Sequence, residues 1–581
     1  MPRNALALVT FVVATALVFG LDLALAAPVT GILAIPLMLA ALGLLVRKIV
    51  GASGESFGLG ALRRFELILA VVALGFVAAR GYVVYHDLAD AAGTNDPLAS
   101  AEAARTYDGI FGALALAIVG LAFSGRRALA LMLRAARHPG LLFAGSFGAM
   151  IVVGTLLLTL PFAVRSVTDV SLLDALFTIT SAVCVTGLAV NDVGATYTPF
   201  GQLVILLGIQ VGAVGLMTLA ALAVTMSRDP SLRSQLRYAQ MLDVRTLDEL
   251  RVQVRTMLIG TLVIEAIGAL GLGMLWAADG RLEGRSVVWM SVFHAVSAFC
   301  NAGFSLFPKG MATFVDRPGV QGVLMVLITL GGLGFPVILE LCRHGWGRFL
   351  WRTGRGARPP ELSLLTRVAV KMSAALVVVG TLAIYVLEVG QSLEPLGLGE
   401  RLYAALFASV NTRTAGFNSV DVGAMRDATL LVTCGLMLIG GSPSSTAGGI
   451  KSTTAAVCLA ALRGELRGHE PTLAGRSLPP ELLRRATAVV SLSVMIVGAV
   501  ILLLTLTEDQ PFIALAFEAV SAFATVGLSV GITGSLSAAG KCIIATAMFL
   551  GRVGPLTIAL AVGQQRDRRP FRLAPESLPI G

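Results

Sequence analysis

The sequence predicts an all-α polytopic membrane protein: about four N-terminal transmembrane helices, then four repeats of a membrane span, a short half-helix and a second span. Three observations predict this fold: the composition, the number of long apolar segments and four similar glycine-containing stretches. Of the 581 residues, 56% are hydrophobic and 13% are charged, with a mean hydropathy of +0.84. A soluble domain carries about 25% charged residues. The composition therefore excludes soluble enzymes, nucleic-acid-binding proteins and disordered scaffolds as descriptions of the whole chain.

Twelve segments are long enough to cross a membrane as α-helices. The hydrocarbon core is about 30 Å thick, and a helix needs about 20 apolar residues to cross it. The predicted spans lie near residues 5–26, 29–49, 62–84, 107–124, 141–163, 199–226, 254–277, 319–342, 366–388, 427–461, 484–507 and 538–563. The first has an alternative interpretation as a signal peptide, because Ala24-Leu25-Ala26 resembles a cleavage site.

The distribution of charge predicts the orientation of these spans. The net charge is +10, and arginines cluster in alternate loops such as 343–365 and 463–485, whereas loop 85–105 carries Asp and Glu. Cytoplasmic loops are enriched in Lys and Arg. With twelve spans, both termini are therefore predicted to lie in the cytoplasm and the protein in the inner (plasma) membrane. The basic clusters have no aromatic interleaving, which argues against a nucleic-acid partner.

Four stretches of similar sequence lie between pairs of spans after residue 138. They read FTITSAVCVTGLAV (177–190), FHAVSAFCNAGFSL (293–306), LFASVNTRTAGFNSV (406–420) and FEAVSAFATVGLSV (517–530). Their glycines recur at nearly equal intervals along the chain, at Gly187, Gly303, Gly416 and Gly527. The packing of small residues between membrane helices explains single glycines but not four copies in register. The copies therefore indicate an internal fourfold repeat.

Each stretch is too short to cross the bilayer and ends in glycine, which predicts a re-entrant half-helix followed by a turn. Such backbone is tolerated at membrane depth only where it is buried in protein or lines a water-filled cavity. Its carbonyl groups can replace the hydration shell of a cation, and the C-terminal dipole of a half-helix favours positive charge. Glycine reaches positive φ without steric cost. The four copies are predicted to surround one central pore.

These stretches resemble the pore loops of the Trk/Ktr/HKT superfamily of potassium transporters, over about residues 140–565, and are most similar to those of the TrkH and KtrB membrane subunits. The segment NTRTAGFNSVD (411–421) is the most specific part of the resemblance. Four spans before the repeats are a departure from the KtrB pattern. The resemblance implies that backbone carbonyls of four filter segments bind potassium: Val185, Thr186, Gly187, Leu188; Asn301, Ala302, Gly303, Phe304; Thr414, Ala415, Gly416, Phe417; and Thr525, Val526, Gly527, Leu528.

Two further features lie below the predicted filter. The tenth span is interrupted by GGSPSSTAGGIKSTT (440–454), which predicts a broken helix at membrane depth. A phosphate-binding P-loop is disfavoured because Ile450 separates Gly449 from Lys451. Arg552, expected near the middle of the last span, needs a cavity and partners. The resemblance implies an intramembrane gating loop opposed by this arginine; the predicted gating residues are Gly440, Gly441, Gly448, Gly449, Lys451 and Arg552.

The predicted domain organisation follows the repeats. It comprises N-terminal transmembrane helices without an assigned role (1–138), pore repeats at 139–240, 241–350, 351–470 and 471–565, and a cytoplasmic tail (566–581). The third repeat includes the gating loop. Arg413 is expected to brace the third turn, and Glu518 to pack within the fourth half-helix or hydrogen-bond the filter backbone.

The predicted function is potassium uptake across the plasma membrane through a gated, channel-like pore, without enzyme activity. A secondary active cation-coupled symporter and a sodium-permeable member of the same family are the alternatives. A monovalent cation entering a negative interior gains about 2.3 kcal/mol per 100 mV, so the pore step needs no chemical fuel. Four repeats of one orientation favour the pore, because symporters usually contain two inverted repeats.

The resemblance also implies the partners. It implies a homodimer in membrane lipid and a separate cytosolic ring of the TrkA or KtrA kind, which binds ATP, ADP or NAD. The chain itself is predicted to hold no cofactor, with potassium as the permeant ion. In the resembled plant transporters, serine at the first filter glycine goes with sodium preference, so Gly187 favours potassium here.

Overall fold

The computed structural model describes residues 139–160, 163–165, 170–226, 247–282, 286–308, 310–355 and 357–554. The chain divides into two compact units, 1–133 and 134–581, and every described residue belongs to the second. The spans predicted near 5–26, 29–49, 62–84 and 107–124, and the tail 566–581, lie outside the described residues.

Helices dominate the described part of the chain. In chain order they are α1 (Pro139–Leu158), α2 (Leu172–Val183), α3 (Val193–Thr196), α4 (Pro199–Met226), α5 (Leu247–Asp279), α6 (Val287–Phe299), α7 (Pro318–Leu333), α8 (Phe335–Arg352), α9 (Leu364–Glu388), α10 (Leu398–Asn411), α11 (Asp427–Leu438), α12 (Ser452–Arg467), α13 (Pro480–Thr507), α14 (Phe512–Phe523) and α15 (Ala538–Val553). Short 3₁₀ segments occupy Gly310–Phe314, Val422–Ala424 and Thr533–Ser535. Strands β1 (Thr472–Leu473) and β2 (Arg476–Ser477) pair as an antiparallel hairpin between α12 and α13.

Three helices are long and apolar enough to cross a membrane, judged by length and composition within the described ranges. They are the segments Arg255–Asp279, Leu364–Glu388 and Pro480–Thr507. Their outward residues are apolar: on α5, Ile267 and Leu270 are 65% and 67% exposed. Apolar side chains in such positions are solvated by lipid, because lipid tails are as apolar as leucine.

The span predicted at 319–342 is wrong as one continuous helix. It is divided into α7 and α8, which are bent by 105° relative to each other. Gly334 forms the junction with φ +82. Pro336, in the first turn of α8, has no backbone N–H and so cannot continue the hydrogen bonds of α7. The interruption expected in 427–461 is present, between α11 and α12.

Four short helices, α2, α6, α10 and α14, have 12, 13, 14 and 12 residues. At 1.5 Å per residue, each reaches about 20 Å at most, less than the hydrocarbon thickness. Serine side chains cap two of them: Ser171 accepts a hydrogen bond from Asp174 N, and Ser286 accepts one from Trp289 N. The short helices are thus started by local capping chemistry and end inside the protein.

The packing between elements follows a closed cycle. A longer helix that follows each short helix packs against the next short helix of the chain. Thus α4 packs against α6, α7 against α10, and α11 against α14, while α15 packs against the first short helix, α2. An ion pair joins the last of these pairs, with Lys541 Nζ 2.8 Å from Asp174 Oδ1. The last described helix therefore contacts the first short helix, and the contacts close on themselves.

Candidate functional site

The backbone after each short helix has the same unusual conformation. The first filter residue lies at positive φ: Val185 at 57°, Asn301 at 60°, Thr414 at 63° and Thr525 at 51°. Two residues later the glycines have φ values of 100°, 69°, 72° and 91°. Positive φ is a genuine outlier for β-branched residues such as valine and threonine. Its recurrence at four equivalent positions indicates that the surrounding protein holds the turns in place.

Each of the four glycines packs against the next turn along the chain. A Cβ added at Gly187 would lie less than 3.0 Å from Ala302 O, and at Gly303 less than 3.0 Å from Ala415 O. The same holds for Gly416 with Val526 O, and for Gly527 with Thr186 O. The last contact returns to the first turn. The structure therefore brings the four predicted filter segments together in a closed ring of backbone.

Side chains of the short helices fix each turn from behind. Ser181 Oγ accepts a hydrogen bond from Gly187 N at 3.0 Å, and Ser521 Oγ accepts one from Gly527 N at 3.1 Å. Ser297 Oγ donates to Phe304 O at 2.8 Å. In the third turn, Asn411 Oδ1 accepts from Phe417 N at 3.2 Å.

A second set of side chains, here called braces, forms hydrogen bonds with the segment that follows each turn. In three short helices the brace is the residue directly after the buried phenylalanine. Tyr197 Oη donates to Thr178 Oγ1 at 3.4 Å. His294 Nε2 accepts from Leu306 N at 3.3 Å, while its Nδ1 lies 2.7 Å from Met290 O. That geometry corresponds to a neutral imidazole with the proton on Nδ1. The residue type differs between copies, but the position and the target, the segment after the filter, are shared.

The fourth of these braces is a carboxylate, and the third is missing. Glu518 is fully buried and accepts hydrogen bonds from Ser529 Oγ and, at 3.1 Å, from Thr533 Oγ1. The residue after the buried phenylalanine of the third short helix is Ala408, eight rather than nine residues before its glycine; it lines a cavity of about 20 Å³ together with Thr433. The third turn is therefore the least braced on this side.

Threonine hydroxyls at the ring remain available to a ligand. Thr186, Thr414 and Thr525 are 0% exposed, and their Oγ1 atoms have no hydrogen-bond partner among the described residues. A buried hydroxyl without a partner costs free energy, about 1–3 kcal/mol. Within the described ranges no group of three His, Cys, Asp or Glu residues lies together. The ring therefore offers carbonyl and hydroxyl oxygens, the ligands suited to a dehydrated monovalent cation.

The segment 440–454 lies against the ring. Thr446 Oγ1 is 3.1 Å from Asn301 Oδ1 and 3.3 Å from Phe299 O. A Cβ added at Gly448 would overlap Thr525 Oγ1. A parallel bridge joins Ile439, just before the segment, to Ile450 within it. Asn301 belongs to the second turn and Thr525 to the fourth, so the loop contacts two turns of the ring that are not neighbours.

Arg552 joins this loop to the rest of the protein. It is 7% exposed, and its Nη1 donates to Thr446 O at 2.5 Å while Nη2 donates to Gly212 O at 2.8 Å. Arg413, beside the third turn, donates from Nη2 to Gly440 O at 3.1 Å. Lys451 Nζ donates to Ala447 O at 2.7 Å, within the loop itself.

The remaining predicted gating glycines make close backbone contacts. A Cβ added at Gly440 would overlap Gly448 O, and one at Gly441 would lie 2.6 Å from Gly332 O. Gly449 has φ +65. Gly332 and its neighbour Gly331 were not among the sequence candidates, yet their carbonyls accept hydrogen bonds from Ser442 N at 3.0 Å and Thr446 N at 3.3 Å. The run of glycines before Pro336 was the available sequence signal.

Comparison with known proteins gives the relationship. The family model described as TrkH: Cation transport protein matches residues 111–567. The Ktr system potassium uptake protein B of Bacillus subtilis is 38% identical over 427 residues, 73% of this chain and 92% of that protein. The potassium/sodium uptake protein NtpJ of Enterococcus hirae is 34% identical over 460 residues, 76% of this chain and 97% of that protein.

A solved structure supports the same fold. The crystal structure of the potassium transporter TrkH from Vibrio parahaemolyticus matches with a TM-score of 0.56 and 15% identity, over 87% of this chain and 98% of that one. The resemblance inferred from the four stretches is thereby confirmed, as is the prediction of a transporter rather than an enzyme. The chain belongs to the TrkH family of cation transport proteins.

Proposed function

We propose that this protein carries potassium ions into the cell through a pore at the centre of the ring. The observation that carries the proposal is the closed cycle of glycine contacts, Gly187 to the second turn, Gly303 to the third, Gly416 to the fourth and Gly527 back to the first. Four units of span, short helix and span surround the pore, and the sixteen filter residues coordinate the ion through backbone carbonyls. The names of two relatives, each a Ktr system potassium uptake protein B, support potassium as the ion.

Sodium permeation is the second candidate. A relative at 34% identity is named a potassium/sodium uptake protein. All four turns of this chain contain glycine at the position of closest approach, so the ring has the same backbone on each side. Rings of backbone carbonyls select potassium in potassium channels, either through cavity size or through the number and field strength of the carbonyls. We therefore place potassium first and sodium as a competing permeant ion.

The loop 440–454 is proposed as the gate. It lies across the ring at Asn301 and Thr525, and Arg552 ties it to α4 through Thr446 O and Gly212 O. A positive charge at this depth raises the electrostatic barrier for a cation. Transport therefore requires the loop to leave the ring, and the hydrogen bonds of Arg552 favour its closed position.

The assembly is proposed from the family relationship. We assign the four units to 139–240, 241–350, 351–470 and 471–565, with both termini in the cytoplasm and the protein in the inner membrane. Two chains form a homodimer. A separate cytosolic ring binds the regulatory nucleotide; the names of two relatives, which place them in a Ktr system, support a further subunit.

The experiment is growth of a bacterium that lacks its own potassium uptake, at low external potassium. We expect the wild-type protein to restore growth and Gly416→Ala to abolish the rescue, because Gly416 has φ +72 and its Cβ would press on Val526 O. Gly145→Ala is the matched control, since no atom lies within 4 Å of its Cβ position. Failure of the wild-type protein to rescue when it is coexpressed with a Ktr-type regulatory subunit and present in the membrane would contradict the proposal.

A further inference from the structure

Helix α8 does not continue in the direction of α7, the helix before it. It begins after the 105° bend at Gly334 and runs for 18 residues, Phe335–Arg352. Near its N-terminus Val337 and Ile338 are buried, whereas most of its last two turns is exposed. With α7 along the membrane normal, a bend of 105° directs α8 nearly parallel to the membrane plane.

One face of α8 is apolar and unoccupied among the described residues. Cys342, Trp346 and Phe349 stand at i, i+4 and i+7, so they share one face of the helix. Trp346 and Phe349 are 65% and 54% exposed. The opposite face is held by the protein: Glu340 accepts from Ser363 Oγ at 2.6 Å, and His344 Nδ1 is 3.0 Å from Pro360 O. The aromatic face therefore points away from the part of the protein that the structure describes.

The segment is also strongly basic. Between residues 343 and 358 there are five arginines and no acidic residue: Arg343, Arg348, Arg352, Arg355 and Arg358. None of them forms an ion pair or a side-chain hydrogen bond with another described residue. Arg343 and Arg352 flank the aromatic face on its two sides, at 100° per residue. An exposed aromatic stripe flanked by arginine is the pattern of a helix at a membrane interface rich in anionic lipid.

The start of α8 contacts the proposed gate. A Cβ added at Gly334 would lie 2.8 Å from Ser444 O, and the carbonyls of the two glycines at 331 and 332 accept hydrogen bonds from Thr446 N and Ser442 N. The bend and the loop 440–454 are therefore one hydrogen-bonded unit. A force that fixes α8 in the membrane plane is transmitted to the loop through these carbonyls.

From this arrangement we propose that α8 is an anionic-lipid anchor that holds the gate closed. Arg343, Arg348 and Arg352 bind the phosphate headgroups. Trp346 and Phe349 insert at the boundary between the headgroups and the acyl chains. Binding stabilises the bend at Gly334 and with it the position of the loop across the ring. This inference rests on the proposed transport function and adds the lipid that regulates it.

The test uses the purified full-length chain in vesicles of phosphatidylcholine alone or mixed with phosphatidylglycerol, with rubidium uptake as the readout. We expect slower uptake in the anionic vesicles. Arg343→Gln/Arg352→Gln removes most of that difference, since each surface arginine changes affinity for anionic lipid about fivefold. Arg463→Gln/Arg467→Gln on α12 is the matched control: it removes the same charge from exposed positions and keeps the lipid effect.

The outcomes separate the anchor from the transport function. Absence of rubidium uptake in every vesicle, also after addition of a Ktr-type regulatory subunit, contradicts the transport function itself. Uptake that is equal in both lipids, or a lipid effect that survives in Arg343→Gln/Arg352→Gln, overturns the anchor. Crosslinking of Cys342 between two copies in the membrane would show that the aromatic face is a dimer interface, and would also overturn it. Quenching of Trp346 fluorescence by brominated phosphatidylglycerol, lost in Trp346→Phe, supports the anchor.

Discussion

The ring of glycine turns and the loop beneath it are built from similar residues but are held in different ways. In the ring, each turn meets the backbone of the next, with Cβ positions less than 3.0 Å from a carbonyl oxygen. The loop has close glycine contacts too, such as Gly441 with Gly332 O, but it is also held by hydrogen bonds, among them Thr446 N to Gly331 O at 3.3 Å and Arg552 Nη1 to Thr446 O at 2.5 Å. Backbone packed against backbone has no alternative position, whereas hydrogen bonds can be exchanged for water. This difference supports the proposal that selectivity belongs to the ring and movement to the loop.

Among the variants that test this comparison, Gly187→Ser is expected to have the largest effect, because it places a side chain in the ring. The residue has φ +100, and its Cβ would press on Ala302 O. Strain of about 1–3 kcal/mol must distort one side of the ring. We expect potassium-over-sodium discrimination, measured by competitive rubidium uptake, to fall about 10- to 100-fold. Gly435→Ser is the control, since no atom lies within 4 Å of its Cβ position; an unaltered ratio in Gly187→Ser would remove Gly187 from the filter.

Arg552→Ala tests the loop instead of the ring. Hydrogen bonds from a charged donor contribute about 1.5–3 kcal/mol, and this variant removes two of them, to Thr446 O and Gly212 O. We expect rubidium uptake by the purified chain to rise about tenfold without a change in selectivity. Arg552→Lys, which keeps the charge, should give a smaller rise. Uptake that stays level or falls in a variant of normal thermal stability would argue that Arg552 does not hold the gate.

Glu518→Ala tests whether the braces behind the ring matter. Loss of the hydrogen bonds from Ser529 and Thr533 frees the segment after the fourth turn. A typical hydrogen bond contributes about 0.5–1.5 kcal/mol, so we expect selectivity to fall about threefold. Ala408→Gly, at the equivalent position of the third unit, has no such bond to lose and should keep the wild-type ratio. If both variants behave alike, the brace has no part in selectivity.

Lys541→Met is expected to have the smallest effect, on stability rather than on transport. The ion pair with Asp174 joins α15 to α2, where the cycle of helices closes, and both side chains are partly shielded, at 15% and 13% exposure. Removing it should lower the free energy of unfolding by about 1 kcal/mol. Thermal unfolding in detergent measures this change. A melting temperature unaffected in the variant would mean that apolar packing alone closes the cycle.

The sequence was most informative where local chemistry determines structure. Four in-register glycine stretches pointed to the residues that the structure brings into one ring, and the glycines of 440–454 predicted the break between α11 and α12. The bend at Gly334 was missed because the apolar window 319–342 is continuous in hydropathy, although Gly334 and Pro336 mark it. The braces of Thr178 and His294 could not be predicted, since their partners at Tyr197 and Leu306 follow the turn and become neighbours only when the chain folds back.

The central claim is that the ring of four turns binds the permeant ion, and the most direct test is to locate that ion. Crystals of the protein soaked in rubidium, measured at the rubidium absorption edge, would give anomalous density at each bound ion. We predict a peak on the axis of the ring, within coordination distance of the carbonyls of the four turns, that weakens when potassium competes and persists against sodium. Anomalous density elsewhere in the protein, with an empty ring, would contradict the account.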